Sequence, residues 1–251
     1  MNQFSIALAG KGGVGKTTLC GMLVRYLVGK GKKPVLAVDA DPNSNLNEVL
    51  GLTISTTLGR AREEMKKGQV PSGMTKDVFI EMKMEEAIAE ADGYDLVVMG
   101  QPEGSGCYCA ANSLLSRFLE KLTENYSFLV MDNEAGMEHI SRLTTKNVDV
   151  LLIVSDPSRR AIQAAGRIGR LAKELNIGAA KTYLVVNQVK GPLSEAALSV
   201  IREEGLTLIG TVPEDPLIYD YDFAGRPTLT LPEESPAVKA AFAIFDGIVP
   251  A

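Results

Sequence analysis

Directly behind the apolar run Phe4–Ala9 stands Gly10-Lys11-Gly12-Gly13-Val14-Gly15-Lys16-Thr17-Thr18, and directly after it a helical pattern opens, Lys16–Val28. The spacing is a glycine, four residues, then Gly-Lys-Thr, the pattern of a phosphate-binding loop between a strand and a helix. With average residue usage it arises roughly once in 30,000 positions, so a chance glycine turn in this setting is a poor account of it. Gly10, Gly12, Gly13 and Gly15 let the backbone bend until successive N–H groups, with those of Val14 and Thr18, face one centre. The new helix adds the positive end of its dipole. Lys16 is placed to reach β- and γ-phosphates, and the Thr17 hydroxyl to ligate Mg²⁺.

A loop of this kind requires a sheet to carry it, and the rest of the chain supplies one. Strand patterns fall at Phe4–Ala9, Pro34–Val38, Leu96–Met99, Phe128–Met131, Val150–Val154, Thr182–Val186 and Leu206–Thr211, with helical patterns between them. The clearest helical stretches are Lys16–Val28, Ala110–Asn125, Arg159–Leu175, Ser194–Glu204 and Ser235–Ile248. Short apolar strands alternating with helices predict an α/β fold: a doubly wound, mostly parallel sheet with helices on both faces. No linker interrupts residues 1–251, so one phosphate-loop domain is expected. Residues 52–94 are less regular and read as peripheral and helical, including Asp77–Ala91.

Composition narrows the function classes. The 251 residues carry a net charge of −5, without the basic stripe of a nucleic-acid-binding protein. No apolar run reaches the ~18 residues of a membrane span, and the N-terminal run passes straight into the glycine loop, unlike a cleaved leader. Three cysteines, Cys20, Cys107 and Cys109, are too few and too uneven for a disulfide framework. A cytoplasmic protein is expected, with no nucleic-acid or membrane partner.

In such a sheet the chemistry gathers just past the carboxyl ends of strands. Asp39 and Asp41 follow the second strand, where a carboxylate comes within reach of a water attacking the terminal phosphate. Asp132 ends the run Phe128–Met131 in the manner of a Mg²⁺-coupling aspartate, and Gly136 allows a close backbone approach to the γ-phosphate. Lys11 is badly placed for its own phosphates, which Lys16 already serves, but can reach a nucleotide on a second subunit. Cys107-Tyr108-Cys109 lies in a glycine-rich loop, Gly100–Gly106, after Leu96–Met99. Two thiolates do not close a metal site, whereas two pairs related by a dyad give four, suited to Ni²⁺, Zn²⁺ or Cu⁺. Cys20 sits among apolar residues of the first helix and reads as core, and His139, the single histidine, as a structural hydrogen-bonding residue.

Gly-Lys-Gly-Gly-Val-Gly-Lys-Thr-Thr resembles the deviant phosphate loop of the MinD, nitrogenase-iron-protein and arsenite-pump class of ATPases. Val38-Asp39-Ala40-Asp41-Pro42 resembles that class's first switch, and Val130–Gly136 its second, with Glu134 where many relatives have proline. Asn187, with Pro213, Glu214 and Asp215, matches the class's base-binding ends. The resemblance implies ATP and ADP as ligands, Lys11 acting across a homodimer, Asp41 orienting the water and Asp39 supporting the site. Gly106-Cys107-Tyr108-Cys109 and Asp132-x-x-Ala135-Gly136-x-Glu138-His139 narrow it, since both resemble the CooC-type nickel-insertion ATPases. That likeness implies ATP hydrolysis coupled to nickel delivery, with one ion held by Cys107 and Cys109 of two subunits. The client would be a nickel enzyme, carbon monoxide dehydrogenase or acetyl-CoA synthase.

Three other readings compete. An electron-donating ATPase like the nitrogenase iron protein needs its two cluster cysteines in separate segments, and none lies near the second switch here. A MinD-like positioning ATPase needs a basic amphipathic tail, whereas Ser235–Asp246 has a single lysine. A small-molecule kinase or amidoligase lacks an evident acceptor site.

Overall fold

A computed structural model describes residues 3–41, 45–66, 70–100, 120–133, 148–175 and 178–250. The strands are β1 (Phe4–Gly10), β2 (Val35–Asp39), β3 (Ile88–Ala91), β4 (Tyr94–Val98), β5 (Phe128–Asp132), β6 (Val150–Ser155), β7 (Lys181–Val189) and β8 (Leu208–Pro213). They form one sheet in the order β3-β4-β2-β5-β1-β6-β7-β8. Every neighbouring pair is parallel except β3 with β4. The fold is therefore the expected α/β, doubly wound, mostly parallel sheet with helices on both faces.

The central strands are apolar on both sides because helices cover both sides. Ile6, Leu8, Ala37, Val130 and Leu152 pack towards α1 (Lys16–Gly29), α2 (Leu46–Leu50) and α8 (Pro236–Ile248). Their alternate neighbours Ala7, Val38, Leu129, Met131 and Ile153 face the other layer. That layer holds α3 (Leu58–Lys66), α4 (Lys76–Glu85), α5 (Arg159–Glu174) and α6 (Glu195–Glu203). The remaining helix, α7 (Pro216–Phe223), follows β8. Strand alternation then fixes the direction of the carboxylates. Asp39 continues the parity of Val35 and Ala37, and Asp132 that of Val130, so both side chains face α1.

Residues 52–94 correct the sequence expectation. Helix does not run through Asp77–Ala91: α4 stops at Glu85, and Ile88–Ala91 turns back through Asp92-Gly93 as an antiparallel edge strand on β4. Gly93 has φ +86°, the conformation this tight turn needs, and the Asp-Gly pair was its sequence signal. Nor is the region peripheral, since Leu58, Met84 and Ala87 are buried in the second core. Of the expected helix Ala110–Asn125, only its last turn, helical at 120–123, is among the described residues.

Candidate functional site

The order of strands reverses beside β1, and the phosphate loop emerges there, at the carboxyl edge of the sheet. Two glycines are required by packing. A Cβ on Gly10 would stand 2.2 Å from the Val154 carbonyl oxygen, and one on Gly15 2.4 Å from Asn187 Nδ2. Gly13 and Gly15 also adopt φ of +82° and +84°, open to glycine without strain. No described residue lies within 4 Å of a Cβ on Gly12 or Gly13, so the outer arc of the loop is uncrowded by them. Gly15 caps α1, whose first turn has no acidic side chain to compete for an anion. Lys16 is 7% exposed, with Nζ 3.4 Å from the Lys11 carbonyl oxygen, so its ammonium is folded back over the loop. The Lys11 side chain itself is exposed.

Two aspartates meet beside the loop. β2 and β5 pair with Asp39 directly opposite Asp132, and β1 places Leu8 next to Asp132. Asp39 is fully buried, and its Oδ1 and Oδ2 accept hydrogen bonds from the backbone N–H groups of Asp41 (3.1 Å) and Leu46 (3.0 Å). One carboxylate thus holds both ends of the loop carrying Asp41. Burial raises its pKa to about 6 despite these donors.

Asp132 is 1% exposed, and neither carboxylate oxygen has a hydrogen-bond partner among the described residues. Burial raises its pKa to about 7, with the Asp39 charge adding to the rise. The Thr17 hydroxyl is near enough to oppose that rise without the geometry of a formed bond, and Lys16 opposes it further. An orphaned buried carboxylate is costly unless a cation completes it. With Thr17 beside it, the donor set is two hard oxygen ligands, which fits Mg²⁺. Burial, with the charges of Asp132 and Asp39 adding to it, raises the thiol pKa of the fully buried Cys20.

The flank of the loop away from Asp39 and Asp132 is built from β7 and β8. Asn187 Nδ2 donates to the Val14 carbonyl at 2.8 Å, which leaves a second amide hydrogen and the amide oxygen for other use. β8 ends at Pro213, and the Glu214 N–H donates to the Val189 carbonyl. The Asp215 carboxylate is committed to the scaffold. Oδ1 caps α7 at the Leu217 N–H, while Oδ2 accepts from the Ser235 hydroxyl (2.5 Å) and the Ala237 N–H at the start of α8.

Gly10, Gly12, Gly13, Val14, Gly15, Lys16, Thr17, Thr18, Asp39, Asp41 and Asp132 therefore surround one end of the sheet, with Asn187, Pro213, Glu214 and Asp215 flanking it. Gly136, Cys107 and Cys109 lie outside the described residues, as do Glu134 and His139. Among the described residues there is no group of three or more metal-ligating side chains, and no helix is long and apolar enough to cross a membrane. Two residues went unread in the sequence. Asn133, also 1% exposed, donates its amide to the Leu8 carbonyl (2.9 Å), pinning the end of β5 to β1. Gln188 donates from Nε2 to the Gly13 carbonyl (3.2 Å). Asn133 could have been suspected from its place after Asp132, whereas nothing in the sequence marks Gln188.

A phosphate loop at the reversal of a parallel sheet, with paired carboxylates on the adjoining strands, defines a phosphate-loop nucleotide hydrolase. The chain belongs to the CobQ/CobB/MinD/ParA nucleotide binding domain family, which matches residues 5–228, and it is an ATPase of that family. An uncharacterized ATP-binding protein of Methanocaldococcus jannaschii is 44% identical over 97% of this chain and 98% of its own length. The carbon monoxide dehydrogenase accessory protein CooC of Rhodospirillum rubrum is 34% identical over 93% of this chain and 91% of its own. Among solved structures, the septum site-determining protein MinD of Pyrococcus horikoshii, complexed with Mg-ADP, superposes with a TM-score of 0.72. That superposition covers 98% of this chain and 96% of the other at 22% identity, a likeness of fold.

Proposed function

We propose that this ATPase is a metal-delivery protein: a homodimer that holds one nickel ion on Cys107 and Cys109 of both subunits and releases it to a nickel enzyme upon ATP hydrolysis. Carbon monoxide dehydrogenase or acetyl-CoA synthase is the client in this reading. The similarity to CooC supports it, together with the Cys-Tyr-Cys sequence. One juxtaposition carries the coupling. The Met99 N–H donates to the Asp39 carbonyl at 2.8 Å, so the segment leading to the two cysteines leaves the sheet from a strand bonded to the first-switch aspartate. A change at Asp39 has a backbone route of one hydrogen bond to the base of that segment.

In this mechanism the loop N–H groups and Lys16 bind the phosphates, and Lys11 reaches the nucleotide of the partner subunit. Thr17 and Asp132 would hold Mg²⁺, directly or through water, and the ion supplies counter-charge to the β- and γ-phosphates. Asp41 orients the attacking water, with Asp39 fixing the backbone on either side of it. Asn187 and the Pro213-Glu214-Asp215 turn frame the base. Zn²⁺ competes for the same thiolates, since borderline ions share these ligands.

Nickel titration of the purified chain, read by metal analysis and light scattering, tests the proposal. One ion per two chains is expected, weakening as protons compete for the thiolates at lower pH, and lost in the Cys107→Ala/Cys109→Ala variant. One ion per chain, or full binding by that variant, would reject the shared site.

The dimer arrangement has its own test. Mixing Lys11→Ala chains with Asp41→Asn chains should restore part of the turnover, because a mixed dimer with Lys11 acting in trans keeps one intact site. No recovery in heterodimers shown to form would assign Lys11 to its own subunit.

A further inference from the structure

We propose that Gln188 is a positioning residue that sets the direction of the N–H groups in the phosphate loop. The inference rests on nucleotide binding at that loop and adds a residue to it. Among the described residues, Gln188 is the only non-glycine with a left-handed backbone, at φ +59°. Such a conformation is strained for any side chain except glycine's, and asparagine tolerates it best of the rest. It coincides with an irregularity in the β7–β8 ladder between Val186 and Val189.

The irregularity has a geometric product. In a regular strand, residues 187 and 188 would project to opposite faces. Here both amides converge on the loop: Asn187 Nδ2 lies 2.4 Å, and Gln188 Nε2 3.7 Å, from where a Gly15 Cβ would be. Each then donates to a successive loop carbonyl, Asn187 to Val14 and Gln188 to Gly13. A trans peptide is planar, with its C=O and N–H pointing opposite ways. Drawing the Gly13 carbonyl outward to Gln188 therefore aims the Val14 N–H inward, and drawing the Val14 carbonyl outward aims the Gly15 N–H inward. Two adjacent donors are oriented before any phosphate arrives, so less ordering is left to the binding step. Glycines at 13 and 15 permit the loop to bend, and the two amides select which way it bends.

Binding of ADP with Mg²⁺, measured by calorimetry alongside thermal melting, tests this on three variants. Gln188→Gly keeps the left-handed backbone without strain and removes the amide. Gln188→Asn keeps an amide that tolerates the conformation but is one carbon too short. Gln188→Lys offers a different donor of sufficient reach to the same carbonyl. The glycine and asparagine variants should bind about three- to tenfold more weakly, the worth of one hydrogen bond. The glycine variant should melt no lower than the parent, and the lysine variant should recover affinity to within about twofold. Unchanged affinity in the glycine and asparagine variants would overturn the proposal, and so would equal weakening by Gln188→Lys, since a donor to the Gly13 carbonyl would then not be what the loop requires. Lys16→Ala is the control for the underlying reading. If it still binds ADP, the phosphate-loop assignment fails, whatever the Gln188 series shows.

Discussion

Replacement of Lys16 by alanine is expected to abolish ATP turnover, with a loss of at least about a hundredfold, and to remove nucleotide binding with it. Among the described residues, Lys16 is the one lysine folded over the loop, its residue only 7% exposed, and no other described lysine is placed to substitute. In that setting its attraction to β- and γ-phosphates is screened far less than at the surface. Asp41→Asn provides the contrast. It preserves the backbone N–H that donates to Asp39 and the shape of the loop, so nucleotide should still bind while hydrolysis falls. Equilibrium binding and phosphate-release assays on both variants separate the two roles. Unchanged turnover in Asp41→Asn would remove that residue from the chemical step.

The second large effect is a stability change of opposite sign. Asp132 and Asp39 have pKa values raised to about 7 and about 6, from 3.8 in the unfolded chain, chiefly by burial. The folded protein therefore binds protons more tightly than the unfolded one from about pH 4 upward. Stability without ligands should be greatest at the acid end of that window and should decline as pH rises through about 6 and then about 7, where the two carboxyls ionise in the folded protein. Asp132→Asn removes a buried, unpartnered charge at constant shape. At pH 8, without nucleotide or Mg²⁺, it should be more stable than the parent by roughly 1–3 kcal/mol. The difference should vanish near pH 4, and the variant should lose Mg²⁺-dependent turnover. Melting temperatures of both proteins across pH 4–8 check this. A stabilisation independent of pH would mean that charge is not its origin.

Much of this arrangement is legible in the sequence, for identifiable reasons. The phosphate loop combines a rare residue pattern with a strand on one side and a helix on the other, so motif and context agree. Asp39 and Asp132 could be found because each ends an apolar run, and in a parallel sheet such an end is where ligands meet the strands. The edge strand Ile88–Ala91 was hidden because it is short and follows α4 after only Glu86 and Ala87, leaving a periodicity that helix and strand share. The Asp92-Gly93 turn was the overlooked signal. Gln188 was invisible for another reason. Its task depends on a backbone twist created where two strands fall out of register, and composition carries no trace of that. Asp215 was selected by likeness as part of the base-binding end, and its carboxylate proves to cap two helices.

That shared cap makes the two flanks of the phosphate loop mechanically unequal. On the β8 flank, Asp215 ties α7 to α8, and α8 is tied in turn to α1 where Tyr26 donates to Asp246 at 2.6 Å, beside the Lys30–Asp246 ion pair. A displacement starting on that flank would have to shear a braced frame that ends on α1, the helix the phosphate loop opens into. On the other flank, Asp39 and Asp132 stand side by side, with one pair of oxygens bonded to a loop and the other pair without a hydrogen-bond partner among the described residues. The frame is thus cross-braced on the β8 flank, whereas at the Asp39–Asp132 pair only Asp39 is tied down among the described residues. In the mechanism proposed above, a displacement at hydrolysis therefore has its softer path towards β2 and β4.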